Sequence, residues 1–171
     1  LPGAVSLAMA DDQAVGSNSK LEAKRRSTPR AWLEAAKNDD FLGVQNYDRT
    51  QVDANGRLRP PAGAPLNSMG AEIYPPSLGN AVLYAHSKTG KPIIVTEHGL
   101  GTSDDTQRAA FIPAAIPLAV RGPTYCVLNF FFATMRTQNL VGLYSTNTPD
   151  SHIKRSILGH SPRVVYAVPQ L

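Results

Sequence analysis

Between Lys91 and Gly99 the chain reads Lys91-Pro92-Ile93-Ile94-Val95-Thr96-Glu97-His98-Gly99. Three β-branched apolar residues run without a break into a polar tip. That pattern predicts a strand buried on both faces, the kind found in parallel sheets. Val5 to Met9 predicts a short buried strand, and Asp40-Phe41-Leu42-Gly43-Val44-Gln45-Asn46-Tyr47 a second one that ends in amides and a tyrosine. Asp11 to Ser19 reads as a polar loop. Pro29 to Lys37 reads as a helix with Thr28 as N-cap, Pro29 at the first position, and Trp32, Leu33, Ala35 and Ala36 as its apolar face. Asp48 to Glu72 is long, polar and proline-rich, which suits a loop that forms part of a binding surface. Pro76 to Lys88 places Leu78, Ala81, Val82 and Ala85 at helical spacing, and Gly90 stops that helix.

After Gly99 the pattern is weaker. Thr102 to Ala115 predicts a loop and a helix, with Thr102 or Ser103 as cap and Asp104 and Asp105 favourable to the helix dipole. Pro113 and Pro117 are expected to limit it. Arg121 to Phe132 predicts a strand, Leu140-Val141-Gly142-Leu143-Tyr144 another short one, and Val164 to Val168 a strand or the start of a last helix. The alternation of strand and helix predicts an α/β fold with a mainly parallel sheet.

Composition narrows the class without changing that picture. A chain of 171 residues with 42% hydrophobic and 18% charged residues is a globular domain with room for a core. Much of the net charge of +4 comes from Lys20 to Arg30 and from Lys154, Arg155 and Arg163 near the end. No zinc pattern, RNA-binding motif or recognition helix accompanies these clusters, so they read as solvated faces, and no nucleic-acid partner is expected. The single cysteine, Cys126, excludes an internal disulfide and a cysteine zinc site, and fits a reducing, cytoplasmic location. No apolar run approaches the ~20 residues that span a bilayer, so no membrane partner is expected. Leu1 to Ala10 lacks the basic region of a signal peptide and reads as a strand from a longer protein. His98 reads as a satisfied loop histidine, His86, His152 and His160 have no metal spacing among them, and no cofactor is expected.

A glutamate at the end of a buried strand sits where an apolar wall meets solvent. There its ionisation can be tuned and its side chain held rigidly. Glu97 is therefore the candidate catalytic residue.

The strand ending in Gln45-Asn46-Tyr47, the segment Gly70-Ala71-Glu72-Ile73-Tyr74-Pro75, the strand ending in Thr96-Glu97-His98-Gly99, and Arg121-Gly122 occur in that order. In order and spacing they resemble glycoside hydrolase family 1, the β-glucosidases and their relatives, built on a (β/α)8 TIM barrel. The resemblance is clear over residues 1–113 and diverged over 114–171. It implies one partial barrel domain, residues 1–171, holding about the last four β/α units. Val5 to Met9 would be the fifth strand, Phe41 to Tyr47 the sixth, Ile93 to Glu97 the seventh, and the segment after Arg121 stands where the eighth belongs. The active site of such a barrel lies at the C-terminal ends of its strands.

The resemblance implies a role for three residues. Glu97 matches the nucleophile of the family's T-E-N-G motif, with His98 where the Asn usually stands. Tyr47 matches the second Tyr of N-Y-Y, whose hydroxyl touches the nucleophile. Gln45 stands at the Asn of that motif and is a candidate substrate-binding residue. Tyr74 matches sequence framework alone. Three departures matter. The acid/base motif N-E-P is absent. The helix after the seventh strand is expected to be short. The closing motif W-x-x-L-D-N-F-E-W is replaced by Tyr125-Cys126-Val127-Leu128-Asn129-Phe130-Phe131-Phe132-Ala133.

The implied activity is retaining hydrolysis of O-glycosidic bonds in β-glucosides or related saccharides. It needs two carboxyl groups ~5–5.5 Å apart. Glu22, Glu34 and Glu72 read as surface charges, so the second carboxyl is unassigned. Two expectations follow. One is a β-glucosidase-type hydrolase, incomplete as an isolated chain, that self-associates or is complemented through the two open sheet edges and apolar interior of a half-barrel. The alternative is a catalytically inactive, truncated or diverged member acting as a sugar-binding or interaction module.

Overall fold

The computed structural model describes residues 3–27, 29–119, 154–157 and 162–165. In chain order the elements are β1 (Ser6–Ala8), β2 (Asp11–Ala14), α1 (Leu21–Ser27), α2 (Pro29–Ala35), β3 (Leu42–Asn46), β4 (Arg49–Val52), α3 (Pro76–Thr89), β5 (Ile93–His98), α4 (Asp105–Ala119), β6 (Lys154–Ile157) and β7 (Pro162–Val165). Strands β1, β3 and β5 form a parallel sheet in that order, with helices in the connections and after the last strand. β6 and β7 pair antiparallel with each other, so Val164 and Val165 lie in a strand. The strands expected at Arg121 to Phe132 and Leu140 to Tyr144 lie outside the described residues.

One face of the sheet carries the core. Leu42, Val44, Ile93 and Val95 pack with Leu78, Ala81, Val82 and Ala85 of α3, Leu33 of α2, and Ala115, Ile116 and Ala119 of α4. The opposite face carries Ser6, Ala8, Gly43 and Thr96, with Ile94 the one large apolar side chain beside them. Ser6 and Ala8 are exposed on it, and the Ser6 and Thr96 hydroxyls meet at 2.6 Å across Gly43. A Cβ on Gly43 would lie 2.7–2.9 Å from Ser6, so no larger residue fits there unshifted. This corrects two expectations. β5 is not equally buried on both faces, since Ile93 and Val95 are fully buried while Ile94, level with Gly43, is half-buried. Nor is the interior of the half-barrel wholly apolar at this level, since the Ser6 and Thr96 hydroxyls share it with Ala8 and Ile94.

Further corrections have local causes. The stretch Asp11 to Ser19 is not all loop. β2 and β4 pair in parallel, Asp11 opposite Arg49, carried past the ends of β1 and β3 by Met9 N–H to Gln45 C=O (2.8 Å) and Asp11 N–H to Asp48 C=O (3.1 Å). The same pairing removes the first residues of the expected Asp48 to Glu72 loop. Trp32 is 57% exposed, because α2 has seven residues and turns Leu33, together with Ala36 beyond its end, towards the core. α3 ends as expected at Gly90, whose φ of 70° is left-handed and whose N–H bonds to the His86 carbonyl (2.8 Å).

α4 is the largest departure. It runs 15 residues straight through Pro113 and Pro117 rather than being limited by them. Each proline lacks an N–H and opposes the preceding turn, at a cost of ~3 kcal/mol in a helix interior. Both prolines are exposed, whereas Phe111, Ala115, Ile116 and Ala119 are buried. Burial of that stripe offsets the missing bonds. The helix start is capped by Asp104, whose carboxylate accepts the Thr106 N–H (2.9 Å), and Thr102 instead accepts the Asp104 N–H (3.0 Å).

Candidate active site

The C-terminal ends of β3 and β5 bring Gln45, Tyr47 and Glu97 together. The ladder runs Val44 opposite Val95 and then Gln45 opposite Glu97, so Thr96 is an extra residue in β5. Gln45 Nε2 donates to Glu97 Oε1 at 2.9 Å. The Tyr47 hydroxyl donates to Glu97 Oε2. The longer amide of Gln45 thus reaches the carboxylate, and each carboxylate oxygen faces one neutral donor. Tyr47 is 38% exposed, so this corner is open to solvent. Burial of the rest of its ring, and then the bond to Glu97, hold its hydroxyl above the usual phenol range, which keeps it a donor.

Beneath this corner lies a buried polar layer that the sequence reading did not single out. Asn46 is fully buried. Its amide donates to the carbonyls of Met9 (2.8 Å) and Asp48 (3.2 Å) and accepts from the Ser77 hydroxyl (2.9 Å). His98 is fully buried as well, with Nδ1 2.7 Å from the Asn46 carbonyl and its ring stacked on Phe111 of α4, centroids 5.0 Å apart. Burial pushes the His98 imidazole down to about 4, although its bond to Asn46 acts in the opposite direction. Bonded through Nδ1 and stacked on Phe111, it stands as a neutral core histidine.

A parity signal could have revealed this layer. Ile93, Val95 and Glu97 share strand parity, and so do Leu42, Val44 and Asn46. A glutamate at core parity requires either a partner or a bulge.

The other three glutamates are committed elsewhere. Glu22 pairs with Arg25 (3.2 Å) and Glu34 with Lys37 (2.7 Å), both on exposed helix surface. Glu72 is not a surface charge: it is mostly buried and receives two bonds from Arg49 (2.7 and 2.8 Å), whose guanidinium lies 3.9 Å over the Tyr74 ring. In the basic run, Lys24 pairs with Asp12, and Arg25 lies 4.3 Å over the Tyr84 ring. Ser68 bonds the Gly101 carbonyl through its N–H (2.9 Å) and hydroxyl (2.6 Å), fastening the long loop to the exit of β5. Among the described residues no group of three His, Cys, Asp or Glu could hold a metal ion, and no helix is long and apolar enough to cross a membrane.

The fold is similar to that of solved β-glycosidases. An apo structure of a beta-glucosidase is 36% identical over 68% of this chain and 29% of its own, with a TM-score of 0.64. A beta-glycosidase is 40% identical over 66% of this chain and 27% of its own, with a TM-score of 0.61. The beta-glycosidase of the hyperthermophile Thermosphaera aggregans is 20% identical over 72% of this chain and 33% of its own, with a TM-score of 0.58, a likeness of fold alone. No protein-family profile and no curated protein matches the chain. The chain spans less than a third of the length of the first two structures. Its fold is the glycoside-hydrolase type of α/β architecture, a portion of a β/α barrel whose sheet does not close among the described residues.

Proposed function

We propose that Glu97 is the nucleophile of a retaining glycoside hydrolase of the β-glucosidase type, acting on β-glucosides or related saccharides, and that the chain is a diverged member of glycoside hydrolase family 1. The observation that carries this reading is the Glu97 carboxylate at the C-terminal end of β5, with Gln45 on one oxygen and Tyr47 on the other. An ionised carboxylate is acceptor-only, and donors on both oxygens fix its plane for attack. One Glu97 oxygen bonds to the anomeric carbon while the bond to the leaving oxygen breaks. The leaving oxygen takes a proton from an acid, and water later releases the sugar with Glu97 restored.

For the nucleophile half of that reaction the supporting groups are Glu97, Gln45 and Tyr47, at the ends of β5 and β3. The acid half has no assigned group, because Glu22, Glu34 and Glu72 each hold a cation. That commitment favours the second reading, a catalytically inactive, truncated or diverged member that acts as a sugar-binding or interaction module. An activated leaving group needs no acid, so the two halves separate experimentally. The chain is treated with a dinitrophenyl 2-deoxy-2-fluoro-β-glucoside and digested for mass spectrometry. A fluoroglucosyl adduct on the Glu97 peptide, lost in Glu97→Gln, is expected, together with negligible hydrolysis of an unactivated aryl β-glucoside. No adduct on Glu97 would sink the proposal. Turnover well above buffer that Glu97→Gln abolishes would show that an acid is present after all.

A further inference from the structure

If the β3–β5 ladder ran without interruption, Glu97 would point to the face of Ile93 and Val95, into the helices. The extra residue at Thr96 turns it to the opposite face, beside Gln45, and sends His98 to the helix side beside Asn46. A bulge of this kind can also slip, and one step of slip returns Glu97 to the wrong face. The bonds immediately after the bulge oppose that slip. His98 Nδ1, facing a carbonyl, donates to Asn46 C=O at 2.7 Å, and the ring is braced on Phe111. Asn46 is itself fastened on three sides, to Met9 after β1, to Asp48 before β4 and to Ser77 in the first turn of α3.

We propose that His98 and Asn46 are positioning residues for the nucleophile: their bond pins the register after the Thr96 bulge and so keeps Glu97 between Gln45 and Tyr47. This deepens the reading of Glu97 given above and rests on it for reactivity, though not for geometry.

The test uses the full chain with three substitutions. His98→Phe keeps a ring against Phe111 and His98→Leu keeps apolar bulk, both without a donor. His98→Asn restores a side-chain donor. Two readouts follow. One is labelling by the fluoro-glucoside, resolved into binding constant and first-order rate. The other is the carbon-13 resonance of the hydroxyl-bearing ring carbon of Tyr47, assigned with Tyr47→Phe and referenced to Glu97→Gln. The apolar variants are expected to fold by circular dichroism and to label at least about tenfold more slowly, with the binding constant changed by less than about threefold. Their Tyr47 resonance is expected to move toward its position in Glu97→Gln, and His98→Asn to recover both readouts. A folded apolar variant with wild-type rate and resonance would overturn the proposal. So would failure of both apolar variants to fold, since the bond would then hold the fold and not the aim of Glu97. Absence of an adduct on the wild-type chain would instead sink the proposed function, and the Tyr47 resonance alone would then decide the positioning role.

Discussion

Tyr47 supplies one of the two bonds that orient the Glu97 carboxylate, and its other side is open to solvent. Removing its hydroxyl leaves a ring that still packs. Tyr47→Phe is therefore expected to lower the fluoro-glucoside labelling rate about ten- to a hundredfold, the worth of a hydrogen bond to a charged group, while the melting temperature moves little. Equal rates would remove Tyr47 from the site. His98 gives a second residue-level expectation. Its folded value of about 4 lies below its ordinary 6.5, so the unfolded chain binds the extra proton between those limits. Its neutral form is free of penalty above about pH 6.5, and stability is lost as pH falls toward about 4, by on the order of 3 kcal/mol. Burial raises Asp11 and Asp48 above their ordinary values, and their contribution has the opposite slope, falling as pH rises through their folded values. Comparing urea midpoints of wild type and His98→Phe across pH 4–7 isolates the histidine. An unchanged difference across that range would show that the imidazole is not buried neutral.

At the scale of elements, α4 tests how far packing overrides local preference. Its buried stripe holds a helix that Pro113 and Pro117 oppose. Pro113 is exposed, so Pro113→Ala restores an N–H for the Ala109 carbonyl without touching the core. It is expected to raise unfolding free energy by about 1–3 kcal/mol and to deepen the helical circular dichroism signal. A loss of stability would mean that the proline shape is needed there.

The same contrast explains what was legible in the chain. α3 was legible because Leu78, Ala81, Val82 and Ala85 repeat at helical spacing and Gly90 closes the last turn. β3 and β5 were legible from their apolar runs, and the meeting of Tyr47 with Glu97 from the motifs that end them. β2 and β4 were not, because Asp-Asp-Gln and Arg-Thr-Gln carry no strand pattern and are extended by the strands that feed them. Asn46 and His98 were not singled out for a related reason: the face of a polar residue at a strand end stays open until the bulge at Thr96 assigns it.

At the scale of the whole molecule, the sheet has an open side. Among the described residues, no strand pairs with the outer edge of β1. Gly43 N–H bonds the Val5 carbonyl (2.9 Å) and Met9 N–H bonds the Gln45 carbonyl (2.8 Å), so residues 5, 7 and 9 face β3. Ser6 and Ala8 then direct their N–H and C=O groups outward, where another strand can pair with them. Self-association of the chain through this edge is the expected consequence, and it is reversible because a three-residue strand offers few bonds. Sedimentation velocity over a concentration series should give a weight-average mass that rises from monomer toward dimer at tens of micromolar. Ala8→Pro removes an outward N–H while leaving the bonds to β3, so it should hold the chain at monomer mass with its circular dichroism unchanged. A wild-type chain that stays monomeric throughout would refute the open edge as an association surface. A proline variant that associates as the wild type does would place the contact elsewhere.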